Sequence, residues 1–134
     1  MAEWILRCLA ERKGITDIEV DSAGIYPGGT LSANARDEIM RRCAFDPGDR
    51  PAKNITDLDL SDFTRILCMT KSHKEAVLRF TDCSQSGRVQ TLAEAIHEEG
   101  DIPDPYGGDE KIYSRCALKI ENMLEKLLEQ LDVS

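Results

Sequence analysis

Arg65-Ile66-Leu67-Cys68-Met69 is a short, nearly continuous apolar run, and it is followed at once by a helical pattern that opens on Ser72 with Glu75 three residues later. A strand covered by helices on both faces carries apolar residues at successive positions, whereas a half-wet strand alternates. Ser-x-x-Glu before an apolar periodic stretch is the capping-box signature of a helix start, here of a helix running to Phe80. A buried strand that feeds directly into a helix is the building unit of a parallel sheet, and the rest of the chain repeats the alternation. The expected fold is therefore α/β, a three-layer sandwich in which a parallel sheet is flanked by helices.

The remaining segments fit that scheme. Ala2, Ile5, Leu6 and Leu9 recur at helical spacing with charged residues between them, and Gly14 stands where a helix would stop. Ile18 to Ser22 alternates as a strand and runs into the Gly/Pro-rich loop from Ala23 to Gly29. Ser32 then stands as the cap of a helix with Ala35, Ile39, Met40 and Cys43 on one face. Asp46-Pro47-Gly48-Asp49 is a turn, and Thr56 with Asp59 predicts a capping box for a short helix. Val89 to Leu92 is a short strand, followed by a brief helix near 93–98. After the loop from Gly100 to Gly108 comes a long helix with Ile112, Cys116, Ile120, Met123, Leu127 and Leu131 spaced three or four apart.

Composition narrows the function. A chain of 134 residues with 41% hydrophobic content is the size of one compact domain spanning 1–134. Its net charge of -8 speaks against a phosphate-backbone partner, so no nucleic acid is expected. No run reaches the length of a membrane span, and Glu3, Arg7, Glu11, Arg12 and Lys13 interrupt the apolar start, unlike a signal peptide; no membrane partner and a cytoplasmic location follow as expectations. Five cysteines without short paired spacing predict reduced thiols, with neither a disulfide framework nor a metal site. No cofactor is expected, and the oligomeric state is left open.

One irregularity stands out. Three strand-like segments alternate with helices, yet the chain opens on a helix with no strand before it and no N-cap. In open parallel sheets the ligand sits beyond the carboxyl ends of the strands, where the N-terminus of the next helix attracts phosphate. For the first helix that place is absent from these 134 residues.

Met1-Ala2-Glu3-x-Ile5-Leu6, Asp21-Ser22-Ala23-Gly24, Ile66-Leu67-Cys68-Met69-Thr70-x-Ser72-His73 and Asp104-Pro105-Tyr106-Gly107-Gly108 occur in this order. Together they resemble the landmarks of the low-molecular-weight protein-tyrosine phosphatases, over nearly the whole chain. Members of that family open with a strand and the loop Cys-x5-Arg-Ser/Thr-Pro, and Met-Ala-Glu follows the proline; Met1 corresponds to that methionine. The resemblance thus implies an N-terminally incomplete, or truncated, copy: the phosphatase fold missing its first, interior strand. In the family order 2-1-3-4, Ile18 to Ser22 would lose its pairing partner and Arg65 to Met69 one of two. The chain would then fold poorly alone, or recover a strand from another molecule.

The family reaction needs a cysteine thiolate to attack phosphorus, loop N–H groups and an arginine to hold the equatorial oxygens, and a carboxylic acid to protonate the leaving group. The sixth residue after Cys8, Cys43, Cys68, Cys83 and Cys116 is Gly14, Asp49, Lys74, Val89 and Asn122 respectively, so none forms Cys-x5-Arg. Cys83 to Arg88 is one residue short and Cys43 to Arg50 one too long.

By resemblance, Asp104 is the general acid of the Asp-Pro-aromatic loop, Tyr106 one wall of the substrate slot and Tyr26 the opposite wall. Ser22 is implied to belong to the network supporting the phosphate loop. Standing alone, an Asp-Pro pair would be read as an ordinary turn. Arg50 falls near a position where many members carry histidine. Thr70 stands where many tyrosine-directed members have aspartate, and Met-Thr occurs in the protein-arginine-phosphatase branch. His73 and His97 are expected to be solvated helix residues. Three functions remain open at this point: a protein-tyrosine phosphatase acting on a phosphoprotein or phosphopeptide through a cysteinyl-phosphate, a protein-arginine phosphatase, and a non-catalytic relative. The 134 residues themselves are expected to be inactive for want of a nucleophile.

Overall fold

The computed structural model, in which residues 1–15, 18–23, 33–43, 46–47, 53–81, 86–103, 105 and 108–133 are described, begins with α1 (Ala2–Arg12). Met1 occupies the N-cap position without a side-chain cap. The helix ends as its sequence implies: Gly14 takes φ +72°, its N–H reaches the Glu11 carbonyl at 3.1 Å, and the Ile15 N–H reaches Ala10 at 2.9 Å. Only glycine adopts that left-handed position without strain, and the two bonds satisfy carbonyls that the helix leaves open. Ile15 then packs on the core and closes the turn with an apolar contact.

Helix α2 (Ala33–Cys43) follows, then two short 3-10 turns, Ile55–Asp57 and Leu60–Asp62. The expected Thr56/Asp59 capping box is not what forms. Asn54 accepts from Thr56 N–H, and Asp59 accepts from Ser61 N–H, so each short side chain caps its own turn. Asx residues bond readily to the backbone two positions on, which ends one turn and starts another.

Strand β1 (Ile66–Cys68) leads into α3 (Lys71–Leu78), and β2 (Val89–Thr91) leads into α4 (Leu92–Ala95). The strands are parallel, with Leu67 opposite Gln90. The cap of α3 is Thr70, whose hydroxyl accepts from the His73 N–H at 3.1 Å; Ser72 lies inside the helix, a correction to the Ser72/Glu75 expectation. A true capping box occurs at Thr91 and Glu94, with bonds of 3.0 and 2.9 Å in the two directions. The helix after β2 is therefore 92–95 and shorter than expected. Its end is made by Glu98 N–H to Ala93 and His97 N–H to Glu94, with His97 at φ +60°. His97 is exposed but beyond the helix, while His73 is half-buried within α3.

Two strands rather than three form the sheet among the described residues. Residues 18–22, expected as a strand, have no ladder. Side chains take the place of a ladder partner there: the Arg7 guanidinium donates to the Val20 carbonyl, Lys53 Nζ holds Asp21 at 2.8 and 2.9 Å, and the Ser22 hydroxyl donates to Glu3 at 2.7 Å.

The core explains the layers. Leu67 of β1 packs on a cluster formed by α1, α4, Ile102 and α5 (Glu110–Val133), while Ile66 packs on a second cluster of Ile55, Leu60, Cys68, Val77 and Val89. Neighbouring residues of one strand thus face helices on opposite sides, which is the α/β arrangement of a parallel sheet flanked by helices. Leu92 and Leu128 are fully buried, each stabilising by about 1.5–3 kcal/mol over an exposed position.

The stripe of α5 needs one correction. Ile112 is 46% exposed, and the buried line begins instead at Tyr113 and Ala117 before continuing through Ile120, Met123, Leu124, Leu127 and Leu128. A helix gains 3.6 residues per turn, so either of two adjacent starting points fits the downstream spacing. The contact with α2 selects the second, because the Arg42 guanidinium reaches the Ser114 carbonyl at 3.2 Å. Between the helices lies Glu38, only 2% exposed. Burial would raise its carboxyl, but hydrogen bonds and charge from Arg41 and Arg42 outweigh that and hold it below the ordinary value. Arg42 passes the pairing on to Glu121 of α5 at 2.7 Å, and Arg41 to Glu110 at 2.6 Å.

Candidate active site

In a parallel sheet the chemistry belongs at the carboxyl ends of the strands, and β1 ends at Cys68. The backbone just beyond it is occupied by the segment that precedes Asp104. Ile102 N–H donates to the Met69 carbonyl at 2.9 Å, and an Asp101 carboxylate oxygen accepts the Lys71 N–H at 3.0 Å. Lys71 is the first residue of α3, so Asp101 satisfies one of the helix's free donors from 30 positions away in the chain. On the other side Lys119 Nζ donates to the Asp101 carbonyl at 2.9 Å, and Cys116 Sγ to Pro103 at 3.8 Å. The Ile102 side chain is 2% exposed within the main cluster.

The far side of the loop is held as firmly. Gly108 N–H closes a turn on the Pro105 carbonyl at 2.8 Å, and Asn34 of α2 donates to the Gly108 carbonyl at 3.3 Å. A Cβ on Gly108 would lie 2.8 Å from both Ile112 Cγ2 and the Pro105 oxygen, so this glycine is required by close approach. Asp109 then caps α5 through the Ile112 N–H at 3.0 Å.

Of the residues singled out in the sequence, Asp104, Tyr106, Tyr26 and Arg50 lie outside the described residues. Ser22 is described: exposed, bonded through its hydroxyl to Glu3 in the first turn of α1, and bonded through its N–H to Asp21 at 2.9 Å. Burial raises the Asp21 carboxyl, but Lys53, the Ser22 N–H and the Arg7 charge together leave it below the ordinary value. Thr70 has a structural duty as the cap of α3. Aspartate caps a helix as well as threonine does, so either residue at this position can fill that structural role.

Sequence reasoning missed Asp101, Lys119 and Asn34. None has a local signature, because each bonds to backbone brought near by the fold. Among the described cysteines, Cys68 sits at the end of β1, but burial pushes its thiol up to about 11, which suits a core residue and not a nucleophile. No group of three His, Cys, Asp or Glu that could hold a metal ion occurs among the described residues. Nor is any helix among them long and apolar enough to cross a membrane.

Residues 1–134 match the family described as low molecular weight phosphotyrosine protein phosphatase. The chain belongs to that family. Among phosphatases of known name it is 31% identical to a protein-arginine-phosphatase of Bacillus subtilis strain 168, over 98% of this chain and 87% of that one. It is 28% identical to a low molecular weight protein-tyrosine-phosphatase of the same organism, over 95% of this chain and 86% of the other. The crystal structure of a low molecular weight protein tyrosine phosphatase from T. tengcongensis superposes with a TM-score of 0.87 at 29% identity, covering 96% of this chain and 88% of that one. The phosphatase family therefore includes both tyrosine- and arginine-directed relatives of this chain, and its fold is the one described above.

Proposed function

We propose that this chain carries the scaffold and the acid loop of a protein phosphatase that acts on phosphoprotein in the cytoplasm, with Asp104 as general acid. The observation that supports the reading is the anchoring of residues 101–103, through Met69 and Lys71, at the carboxyl end of β1, the end of a parallel sheet where phosphate chemistry belongs. A carboxylic acid there would give its proton to the leaving atom, and Tyr106 and Tyr26 would line the slot. Ser22 would support the phosphate loop from the other side. The 134 residues hold no Cys-x5-Arg, so by themselves they do not carry the covalent step. A second reading, phosphoarginine in place of phosphotyrosine, is favoured by the 31% identity to an arginine phosphatase together with Met69-Thr70.

Two assays on aryl phosphate test the proposal. The 134-residue chain and its Asp104→Ala form should hydrolyse it equally slowly. With a strand and Cys-x5-Arg-Ser-Pro joined ahead of Met1, turnover should appear and Asp104→Ala should lower it about 10²- to 10⁴-fold. Asp104-dependent turnover by the 134 residues alone would show another nucleophile and sink the reading; unchanged turnover of the extended chain on losing Asp104 would remove the acid assignment. Phosphoarginine and phosphotyrosine peptides offered in competition to the extended chain decide between the two substrates.

A further inference from the structure

Two thiols meet where α1 packs on α2. Cys8 lies in the middle of α1 and Cys43 closes α2. Cys8 is the neighbouring thiol that acts on Cys43, and Cys43 Sγ donates to the Trp4 carbonyl at 3.9 Å. Trp4 is one helical turn before Cys8, so Cys43 lies over the turn of α1 that carries its partner thiol. Both residues are only half-buried. By contrast Cys68 belongs to the cluster on the other face of the sheet, and Cys116 bonds to the acid loop.

We propose that Cys8 and Cys43 are a redox-modifiable pair, which a low-molecular-weight disulfide such as oxidised glutathione converts into a covalent bridge between α1 and α2. The Cys8 thiolate attacks one glutathione sulfur, breaking that S–S bond and releasing one glutathione thiolate. The Cys43 thiolate then attacks the Cys8 sulfur of the mixed disulfide and releases the second glutathione. Two electrons and two protons leave the protein and appear in two molecules of reduced glutathione, so the exchange balances.

The surroundings set the order of attack. Burial, then the neighbouring Cys8 side chain, push the Cys43 thiol up to about 12, opposed by the Arg12 guanidinium one turn past Cys8; Glu121 adds to the rise. Cys43 is therefore the poor first attacker. Once Cys8 is capped by glutathione its thiolate charge no longer opposes ionisation of Cys43, while Arg12 still favours it. The second attack is also intramolecular, which offsets a small thiolate fraction. Contacting thiols on adjacent helices reach the bond length of about 2.05 Å by side-chain rotation if their Cβ atoms stand about 3.5–4.5 Å apart. The bridge would fix α1 on α2, and α1 supplies Glu3 and Arg7, which hold Ser22 and Val20. The proposal does not depend on the phosphatase reading.

The test uses the 134-residue chain, fully reduced and then exposed to millimolar oxidised glutathione, quenched by alkylation, and mapped by peptide mass spectrometry. The expected result is a monomer whose dominant bridge is Cys8–Cys43, with Tm raised by on the order of 10 °C and restored by dithiothreitol. Cys43→Ser should stop at the glutathione adduct on Cys8. The same oxidation in guanidinium chloride should spread pairing over all five cysteines. If Cys8 and Cys43 stay reduced, bridge other cysteines or other chains, or pair no more often in the native than in the denatured chain, the proposal is wrong.

Discussion

The segment from Gly100 to Pro103 and the segment from Ile18 to Ala23 are both irregular stretches held on the fold, but they are held by different forces. The first is fixed by the Ile102 N–H on the Met69 carbonyl just past β1, by the Asp101 carboxylate on the Lys71 N–H of α3, and by Ile102 at 2% exposure in the core. The second is fixed mainly by side-chain bonds near the surface, Arg7 on Val20, Lys53 on Asp21 and Ser22 on Glu3, with Ile18 partly buried against the main cluster. Backbone bonds and apolar burial are not weakened by charge screening, whereas exposed ion pairs are screened and contribute little. Residues 100–103 are therefore placed by the same interactions that fold the domain, and the Ser22 segment largely by contacts that can be exchanged at small cost.

The sharpest way to break the contrast is to empty the core under residues 100–103. Ile102→Ala should destabilise the chain by about 2–5 kcal/mol in denaturant unfolding; a loss under 1 kcal/mol would mean that the loop is not seated by burial. A smaller effect is expected at Asp101, where alanine removes a cap on α3. We expect about 1 kcal/mol, faster hydrogen exchange at the Lys71 amide, and partial recovery with Asp101→Asn, whose oxygen can still accept.

The smallest effect belongs to the other segment. Lys53→Ala should cost about 0–1 kcal/mol at low salt, shrinking as salt is added, because Lys53 is more than half exposed. The acid dependence has a definite sign. The folded carboxyl of Asp21 is held below its ordinary value, so its contribution is fully present above the unfolded pKa of about 3.9 and is lost as pH falls through the lower folded value. Lys53→Ala should flatten that acid loss, and an unchanged pH profile would show that the pair does not hold the segment.

Much of the fold could be read in the sequence wherever the deciding interaction was local. Gly14 ended α1 because a left-handed position is needed after the last turn, and the apolar run at 65–69 marked the strand covered on both faces. Capping went astray where several short polar residues competed. Thr70 and Ser72 both offer a hydroxyl, and only the place where β1 stops decides that Thr70 is the cap. At α5 the spacing fixed a stripe but not its first residue, which the packing of α2 settled in favour of Tyr113. The strand expected at 18–22 was legible as alternation, but a strand exists only with a partner, and alternation carries no information about one.

What the sequence determined by itself was the alternation of strand and helix, the family landmarks and the absence of Cys-x5-Arg within the 134 residues, because period, turn chemistry and motif spacing are properties of neighbours along the chain. What only the tertiary structure decided was the seat of residues 101–103 and the meeting of α2 at Cys43 with the turn of α1 that carries Cys8. Asp101 finds Lys71 across 30 residues, and two thiols on separate helices meet at one interface. Such contacts follow from how helices and strands pack in three dimensions, which no local pattern encodes.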